Sequence, residues 1–317
     1  MGVKIIGTGK KLPEYIVTNE ALAAFLDTSD EWIASKTGIG ARRICISEGL
    51  TDLAEEAARK ALAKAGLSTT DMVIGATMTN DYSMPSLACC VLERLGFSCS
   101  AFDVNAACSG FLYALDAADS AIRAGKAETV LIVAAEMMSR MVDWNDRTSS
   151  ILFGDGAGAC VVTRGDALKY IRATADAQIG PLFAKAGRGN NPFIQSPAQP
   201  GYLEMQGQHV YKFAVKTIES EIHLALSATG LTAEDVDYFI LHQANTRIID
   251  GARTRLKLPP EKFPMNMQKY GNMSAASIPV LLDEMAESGQ IKAGDTLMLI
   301  GFGAGMTAGC AVLEWRD

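Results

Sequence analysis

Histidine is scarce in these 317 residues and cysteine is unpatterned, and the two shortages narrow the chemistry. Only three histidines occur (His209, His223 and His242), none at metal-ligand spacing from another, and the seven cysteines include no CxxC pair. Adjacent Cys89 and Cys90 suit neither a local disulfide nor a zinc site. An export signal is not expected either. The N-terminus, MGVKIIGTGKKLP, enters a strand-like run directly, without an apolar core or a small-residue cleavage site. A cytoplasmic protein with reduced thiols is expected rather than a disulfide framework. No apolar run approaches the roughly 20 residues of a membrane span; Val130 to Ala135 and Leu297 to Phe302 are among the longest. Basic residues are outnumbered, 29 against 36, and the net charge of −7 argues against nucleic acid as the main partner.

What is present is an ordinary globular balance, 49% apolar and 21% charged, long enough for one large domain or two modest ones. The chain also resembles itself. Gly66-Leu-Ser-Thr-Thr-Asp71 before MVIGAT matches Gly230-Leu-Thr-Ala-Glu-Asp235 before VDYFILHQA, with Leu67 and Leu231 separated by 164 residues. Lys126-Ala-Glu-Thr-Val-Leu-Ile-Val133 matches Lys292-Ala-Gly-Asp-Thr-Leu-Met-Leu299, with Thr129 and Thr296 separated by 167 residues, and Leu115-Asp116 is echoed by Leu282-Asp283 at an offset of 167. Two large α/β units follow, 1–165 and 166–317, joined in one compact body. Residues 51–65 read as a helix stopped by Gly66. Val73–Ala76 and Val130–Ala134 are apolar on both faces, as in strands covered from both sides. Ala106–Ala124, rich in Ala, Ser and Gly, reads as a helix buried at the centre, with Ser274–Glu287 as its counterpart. Gly180 to Tyr202, with four prolines and a Gly-Arg-Gly-Asn-Asn stretch, reads as a surface loop or lid.

Cys108 stands where the strand-like run Ala101–Val104 gives way to the first buried helix. A thiol at a helix N-terminus faces unpaired N–H groups that favour the thiolate, the state a nucleophile needs. The same residue also fits a small apolar core position, the reading preferred for Cys89, Cys90, Cys99 and Cys160. His242 follows the apolar strand Phe239–Leu241, at the carboxyl end where α/β sheets gather active groups. A hydrogen-bonded structural histidine would look the same. Asn272 precedes the second buried helix, where a cap is the commoner role. Gly301-Phe-Gly-Ala-Gly305 follows the last long strand, and such a turn can aim a backbone N–H at a developing oxyanion. Phe153-Gly-Asp-Gly-Ala-Gly158 is its equivalent in the first half.

These residues resemble the β-ketoacyl-ACP synthase III family of thiolase-fold condensing enzymes. The likeness runs from Lys4-Ile-Ile-Gly-Thr-Gly9 to Ala311-Val-Leu313. It is carried by Asp27-Thr-Ser-Asp-Glu-Trp-Ile33, Thr37-Gly-Ile39, Asp103-Val-Asn-Ala-Ala-Cys-Ser-Gly-Phe111, Ile151-Leu-Phe-Gly-Asp-Gly-Ala157, His242-Gln-Ala-Asn245 and Gly271-Asn272. The resemblance implies a five-layer αβαβα thiolase-like fold from two duplicated halves, a homodimer, and no metal or redox cofactor. It implies that a short acyl-CoA such as acetyl-CoA acylates Cys108, and that malonyl-ACP then loses carbon dioxide and attacks the thioester, giving 3-ketoacyl-ACP. His242 Nε2–H and the Asn272 amide would hold the enolate, and the backbone N–H groups of Cys108 and Ala304 the oxyanion.

Carried over in the same way, Thr28, Trp32, Lys36 and Arg147 would meet CoA, with Gly207, Tyr211, Ala244 and Asn245 along the pantetheine tunnel. Lys36 replaces a frequent Arg and loses its bidentate fork. The stretch Gln243, Ala244, Asn245, Thr246 and Arg247, with Arg253, Arg255 and Lys257, would dock the acidic acyl carrier protein; a solvated helix face is the plainer reading. Met84 stands where well-known members place Phe at the acyl pocket, reached across the dimer, and Met138 would line the same pocket. These flexible side chains lead to an expected tolerance for longer or branched acyl groups. Ala308 replaces a common Trp. The rival reading is an acyltransferase of the same fold that serves a small-molecule acceptor in secondary metabolism. A carboxylate matching hydroxymethylglutaryl-CoA synthase chemistry is missing near Cys108, and a non-catalytic partner subunit would lack the nucleophile.

Overall fold

The computed structural model describes residues 2–186 and 201–316. In chain order its strands are β1 (Gly2–Lys11), β2 (Ile16–Thr18), β3 (Ala41–Arg43), β4 (Met72–Ala76), β5 (Ser100–Val104), β6 (Thr129–Met137), β7 (Asp155–Gly165), β8 (Leu168–Gln178), β9 (Leu182–Ala184), β10 (Leu203–Met205), β11 (Tyr238–Leu241), β12 (Thr296–Gly303) and β13 (Gly305–Glu314). Its helices are α1 (Asn19–Ala23), α2 (Asp30–Thr37), α3 (Leu50–Lys64), α4 (Leu87–Leu95), α5 (Gly110–Arg123), α6 (Gly207–Thr229), α7 (Thr246–Leu256), α8 (Met267–Tyr270) and α9 (Ser277–Glu287).

Two large sheets organise these elements, in the orders β1-β7-β6-β4-β5 and β11-β12-β13-β8. In the first, β4 runs parallel to β6, β6 antiparallel to β7, and β7 antiparallel to β1. The second repeats that arrangement as β11, β12, β13 and β8. Every strand of the first sheet ends by Gly165, and every strand of the second begins at Leu168 or later. The central strands β4 and β6 are apolar on both faces because helices cover both.

Three large apolar clusters hold five structural layers together. Leu53, Ala57 and Ala61, spaced on one face of α3, pack with Leu87 and Val91 of α4 against the outer side of the first sheet. Val215, Ile218 and Ile222 of α6 and Ile249 of α7 do the same for the second sheet. Between the sheets, Phe111, Leu112 and Leu115 of α5 meet Ile278, Leu281 and Leu282 of α9. The order is therefore α/β/α/β/α, with α5 and α9 in the middle layer.

Some sequence expectations change in detail. Neither central helix is continuous: a 3₁₀ turn at Ala107–Ser109 precedes α5, and another at Ser274–Ala276 precedes α9. Both turns open on a residue with φ of +48°, a left-handed conformation that interrupts a right-handed helix. All seven cysteines are free, but Cys89 is exposed on α4 rather than part of the core. The expected lid, Gly180 to Tyr202, is partly a short ladder of β9 with β10; its residues 187–200 lie outside the described residues.

Candidate active site

The two interrupted helices aim their leading turns at one cavity of about 570 Å³, lined by Cys108, His242, Asn272 and Ala304 among others. The first turn grows out of β5. Asn105 Oδ1 accepts from the Ala107 amide at 3.4 Å, Ala107 takes the left-handed conformation, and Cys108 follows, 7% exposed. Gly303 lies against this turn. A side chain there would put its Cβ 2.7 Å from the Cys108 amide nitrogen, so only glycine lets β12 pass so close. This places the next residue, Ala304, on the cavity wall.

The second turn is built alike. Asn272 Oδ1 accepts from the Ser274 amide at 2.8 Å, and Ser274 is the left-handed residue. An oxygen must face that N–H, which leaves the Asn272 side-chain NH₂ as the donor available to the cavity. The Asn272 backbone is pinned to the first half of the chain. Its N–H donates to Leu152 O at 2.8 Å, and its carbonyl accepts from Gly154 N at 3.1 Å. A Cβ on Gly154 would lie 2.2 Å from Tyr270 O, which explains one glycine of the Phe153–Gly158 cluster.

His242 leaves the end of β11, with its amide on Ile300 O at 2.8 Å and its ring edge-on to Phe302. Burial lowers the imidazolium pKa to about 3, so the ring is neutral at physiological pH. The hydrogen bonds of Ser277 decide its tautomer. The Ser277 hydroxyl donates to Ser274 O at 2.9 Å, accepts from the Gln243 amide at 3.3 Å, and lies 2.7 Å from His242 Nδ1. A hydroxyl has one proton, and it can go to either acceptor. Nδ1 carries the ring proton while Ser277 donates to Ser274 O, and the expected Nε2–H form holds when the same hydroxyl donates to Nδ1.

Cys108 needs a correction. Burial pushes its thiol up to about 12, the nearby Glu136 charge adds to the rise, and only a hydrogen bond from the Ser274 side chain and the turn's own backbone oppose it. Desolvation outweighs the helix-end dipole, and the resting sulfur is a thiol. The resting site thus pairs an undissociated thiol with a neutral imidazole.

The remaining expected residues divide into three groups. Gly207, Tyr211, Ala244, Asn245, Arg247, Arg255 and Met138 line the cavity. Thr28, Trp32, Lys36 and Arg147 do not, but they lie on or beside α2, whose C-terminal end meets the start of α7: Asn245 Nδ2 donates to Lys36 O and Thr246 Oγ1 to Thr37 O, both at 3.2 Å. The Arg147 guanidinium sits 5.3 Å over the Trp32 ring, and Thr28 Oγ1 is buried without a hydrogen-bond partner among the described residues. Gln243 is fully buried, with its side-chain amide bonded to Leu241 O and Asn266 N, so it cannot belong to a docking surface. On α7, Arg253 is paired with Asp250, while Arg247, Arg255 and the capping Lys257 are exposed. Met84 is 86% exposed and lines no part of its own chain's cavity. Ala308 is buried on β13, and nothing in the structure explains its exchange for Trp. Sequence reading missed Glu136, Ser274 and Ser277; the two serines stand two and five residues after Asn272, but hydroxyl residues beside a helix start are too common to signal a site.

The duplicated five-layer body and its shared cavity define a condensing enzyme of the thiolase fold. Residues 102–178 match the family model for 3-oxoacyl-[acyl-carrier-protein] synthase III, and residues 226–315 the model for its C-terminal part. The β-ketoacyl-[acyl-carrier-protein] synthase III of Clostridium acetobutylicum is 43% identical over 99% of this chain and 98% of its own length. The solved structure of the Pseudomonas aeruginosa 3-oxoacyl-(acyl carrier protein) synthase III superposes with a TM-score of 0.94 at 38% identity, covering 100% of this chain and 99% of that one. The priming β-ketosynthase of the R1128 polyketide pathway also gives 0.94, at 34% identity over 100% and 97%. The chain belongs to the β-ketoacyl-ACP synthase III family.

Proposed function

We propose that the chain condenses a short acyl-CoA with malonyl-ACP, releasing CoA and carbon dioxide and initiating fatty acid synthesis. The observation that carries this reading is the convergence of Cys108, His242, Asn272 and the Gly303–Ala304 turn on one cavity. As the Cys108 sulfur attacks the acyl carbonyl, His242 Nε2 takes the thiol proton and passes it to the departing CoA thiolate. The oxyanion is held by the backbone N–H groups of Cys108 and Ala304. Decarboxylation of malonyl-ACP then places an enolate oxygen against the Asn272 NH₂. His242 becomes a second donor if Ser277 rotates its proton from Ser274 O to Nδ1, which moves the ring proton to Nε2. The enolate carbon attacks the Cys108 thioester, and the sulfur leaves as a thiolate that is reprotonated. Acyl-CoA and malonyl-ACP are the substrates, and the scheme draws on no cofactor.

Trp32, Arg147, Lys36 and Thr28 would hold the nucleotide end of CoA, with Gly207, Tyr211, Ala244 and Asn245 along its arm. Arg247, Arg255 and Lys257, with Thr246, Ala244 and Asn245 at the mouth and Arg253 behind, would receive an acidic carrier protein. The protein would act in the cytoplasm as a homodimer, its Met84 reaching the partner's acyl pocket, with its two halves meeting between 165 and 166. Among the described residues no helix is long and apolar enough to cross a membrane. Met78, Met138, Met141 and Met205 line the cavity, and flexible thioether side chains adapt to varied chains. Mass spectrometry of the intact protein mixed with acetyl-, isobutyryl- and hexanoyl-CoA is expected to show all three acyl groups on Cys108; acetyl alone would refute the tolerance, and no acylation would refute the reaction. The likeness to a priming polyketide ketosynthase supports the rival reading in secondary metabolism, and failure to decarboxylate malonyl-ACP would favour it.

A further inference from the structure

Behind the cavity lies a carboxyl group that the condensation scheme does not use. Glu136, near the end of β6, is fully buried. Its Oε2 accepts from Thr79 Oγ1 at 2.6 Å, Thr77 Oγ1 at 3.2 Å and the Met78 amide at 3.2 Å, and its Oε1 accepts from Ser274 Oγ at 3.1 Å. Isolated buried carboxylates are costly, so four donors gathered on one carboxyl indicate a built site. The fourth donor is the important one. Ser274 stands between the groups of the proposed chemistry: its amide holds Asn272 Oδ1, its carbonyl is an acceptor for the Ser277 hydroxyl that meets His242 Nδ1, and its side chain opposes the rise of the Cys108 thiol pKa. It does so from a left-handed conformation that a non-glycine residue holds only when its surroundings impose it.

We propose that Glu136 is the positioning residue of this site, holding Ser274 and thereby the orientation of Asn272 and His242, and setting by its charge the reactivity of the Cys108 thiol. This rests on the condensing reading above. The ionised Glu136 carboxylate disfavours a Cys108 thiolate by its charge, and protonating the carboxyl removes that opposition. Burial raises the Glu136 carboxyl to about 7 against the pull of its four donors, so this exchange falls within the working pH range. The groups facing the carboxyl are Thr77, Met78 and Thr79 after β4, Ser274 before α9, and Cys108, which is the titratable one among them.

The test is the pH profile of Cys108 alkylation by iodoacetamide, with turnover measured in parallel. In the unmodified protein the rate should climb more slowly than the thiolate fraction through pH 7, because Glu136 ionises there. In Glu136→Gln the break should vanish, leaving a rise of about tenfold per pH unit and faster alkylation at pH 8. Condensation should move the other way, with kcat falling about tenfold to a hundredfold at unchanged KM for acyl-CoA, as Asn272 and His242 lose their alignment. If Glu136→Gln does not fold, Ser274→Ala, which keeps the backbone bonds but frees the turn from Glu136, must show the same fall in kcat. A break that persists in Glu136→Gln, or an unchanged kcat in either variant, overturns the proposal. Alkylation needs neither acyl-CoA nor carrier protein, so this result stands apart from the fate of the condensing reading.

Discussion

The turns before α5 and α9 are the same device used twice. Asn105 and Asn272 stand 167 residues apart, the offset of the sequence repeat, and each accepts a hydrogen bond from the amide two residues on. Ala107 and Ser274, at the same offset, share a φ of +48°. Yet the halves spend the device differently. In the first half the asparagine only shapes the turn, and Cys108 one residue after the left-handed position is the proposed nucleophile. In the second half Ala275 takes the place of the cysteine, Asn272 itself faces the cavity, and the left-handed Ser274 carries the network. Duplication supplied two matching turns facing one cavity, and divergence at single positions put a thiol on one and an amide donor on the other.

The largest expected effects break this division. Cys108→Ala removes acylation altogether, a loss of at least about a thousandfold in condensation, while decarboxylation of malonyl-ACP persists because the second turn is intact. Asn272→Ala should do the converse, slowing decarboxylation by about a hundredfold to a thousandfold while intact mass still shows acyl-Cys108. If both variants lose both half-reactions equally, the turns do not divide the work.

Stability against pH sharpens the contrast between the buried groups. His242 has a depressed pKa, so it contributes a stability that is lost as pH falls from about 6.5 towards about 3. Glu136 has a raised one, so the folded state keeps a proton that the unfolded chain releases, and stability falls as pH rises from the ordinary carboxylate range to about 7. The two slopes oppose each other between about 4.3 and 6.5, so the difference between unmodified protein and Glu136→Gln isolates the carboxyl. Urea titrations should show the variant gaining on the parent by about 1 kcal/mol per pH unit, at most, between pH 5 and 7. A constant difference would contradict the buried-carboxyl reading. The smallest effect concerns backbone alone. Ala107→Gly should be neutral to stabilising by about 1 kcal/mol in thermal unfolding, because glycine adopts positive φ without strain. A clear loss would show that the Ala107 methyl packs usefully at the cavity wall.

Much of the fold and of the candidate site was legible in the residues themselves. Paired runs such as Lys126–Val133 and Lys292–Leu299 disclosed the duplication because strand and turn residues repeat locally. The motifs around Cys108, His242 and Asn272 carried the family resemblance, because backbone-level constraints leave specific residues at specific spacings. Ionisation states were not legible. A helix start suggested a thiolate at Cys108, but the sign of the shift depends on desolvation by residues far along the chain, and burial prevailed. The His242 tautomer likewise depends on where Ser277, 35 residues away, sends its one proton. The buried Glu136 reads in sequence as the polar end of an apolar strand, and Gln243 as part of an exposed motif; only packing shows that both are enclosed. Sequence by itself determined the repeat, the fold class and the candidates for the reactive groups, since these are written in local pattern. Tertiary structure alone decided how readily each group holds its proton, since that is set by the dielectric and the hydrogen bonds contributed by distant segments.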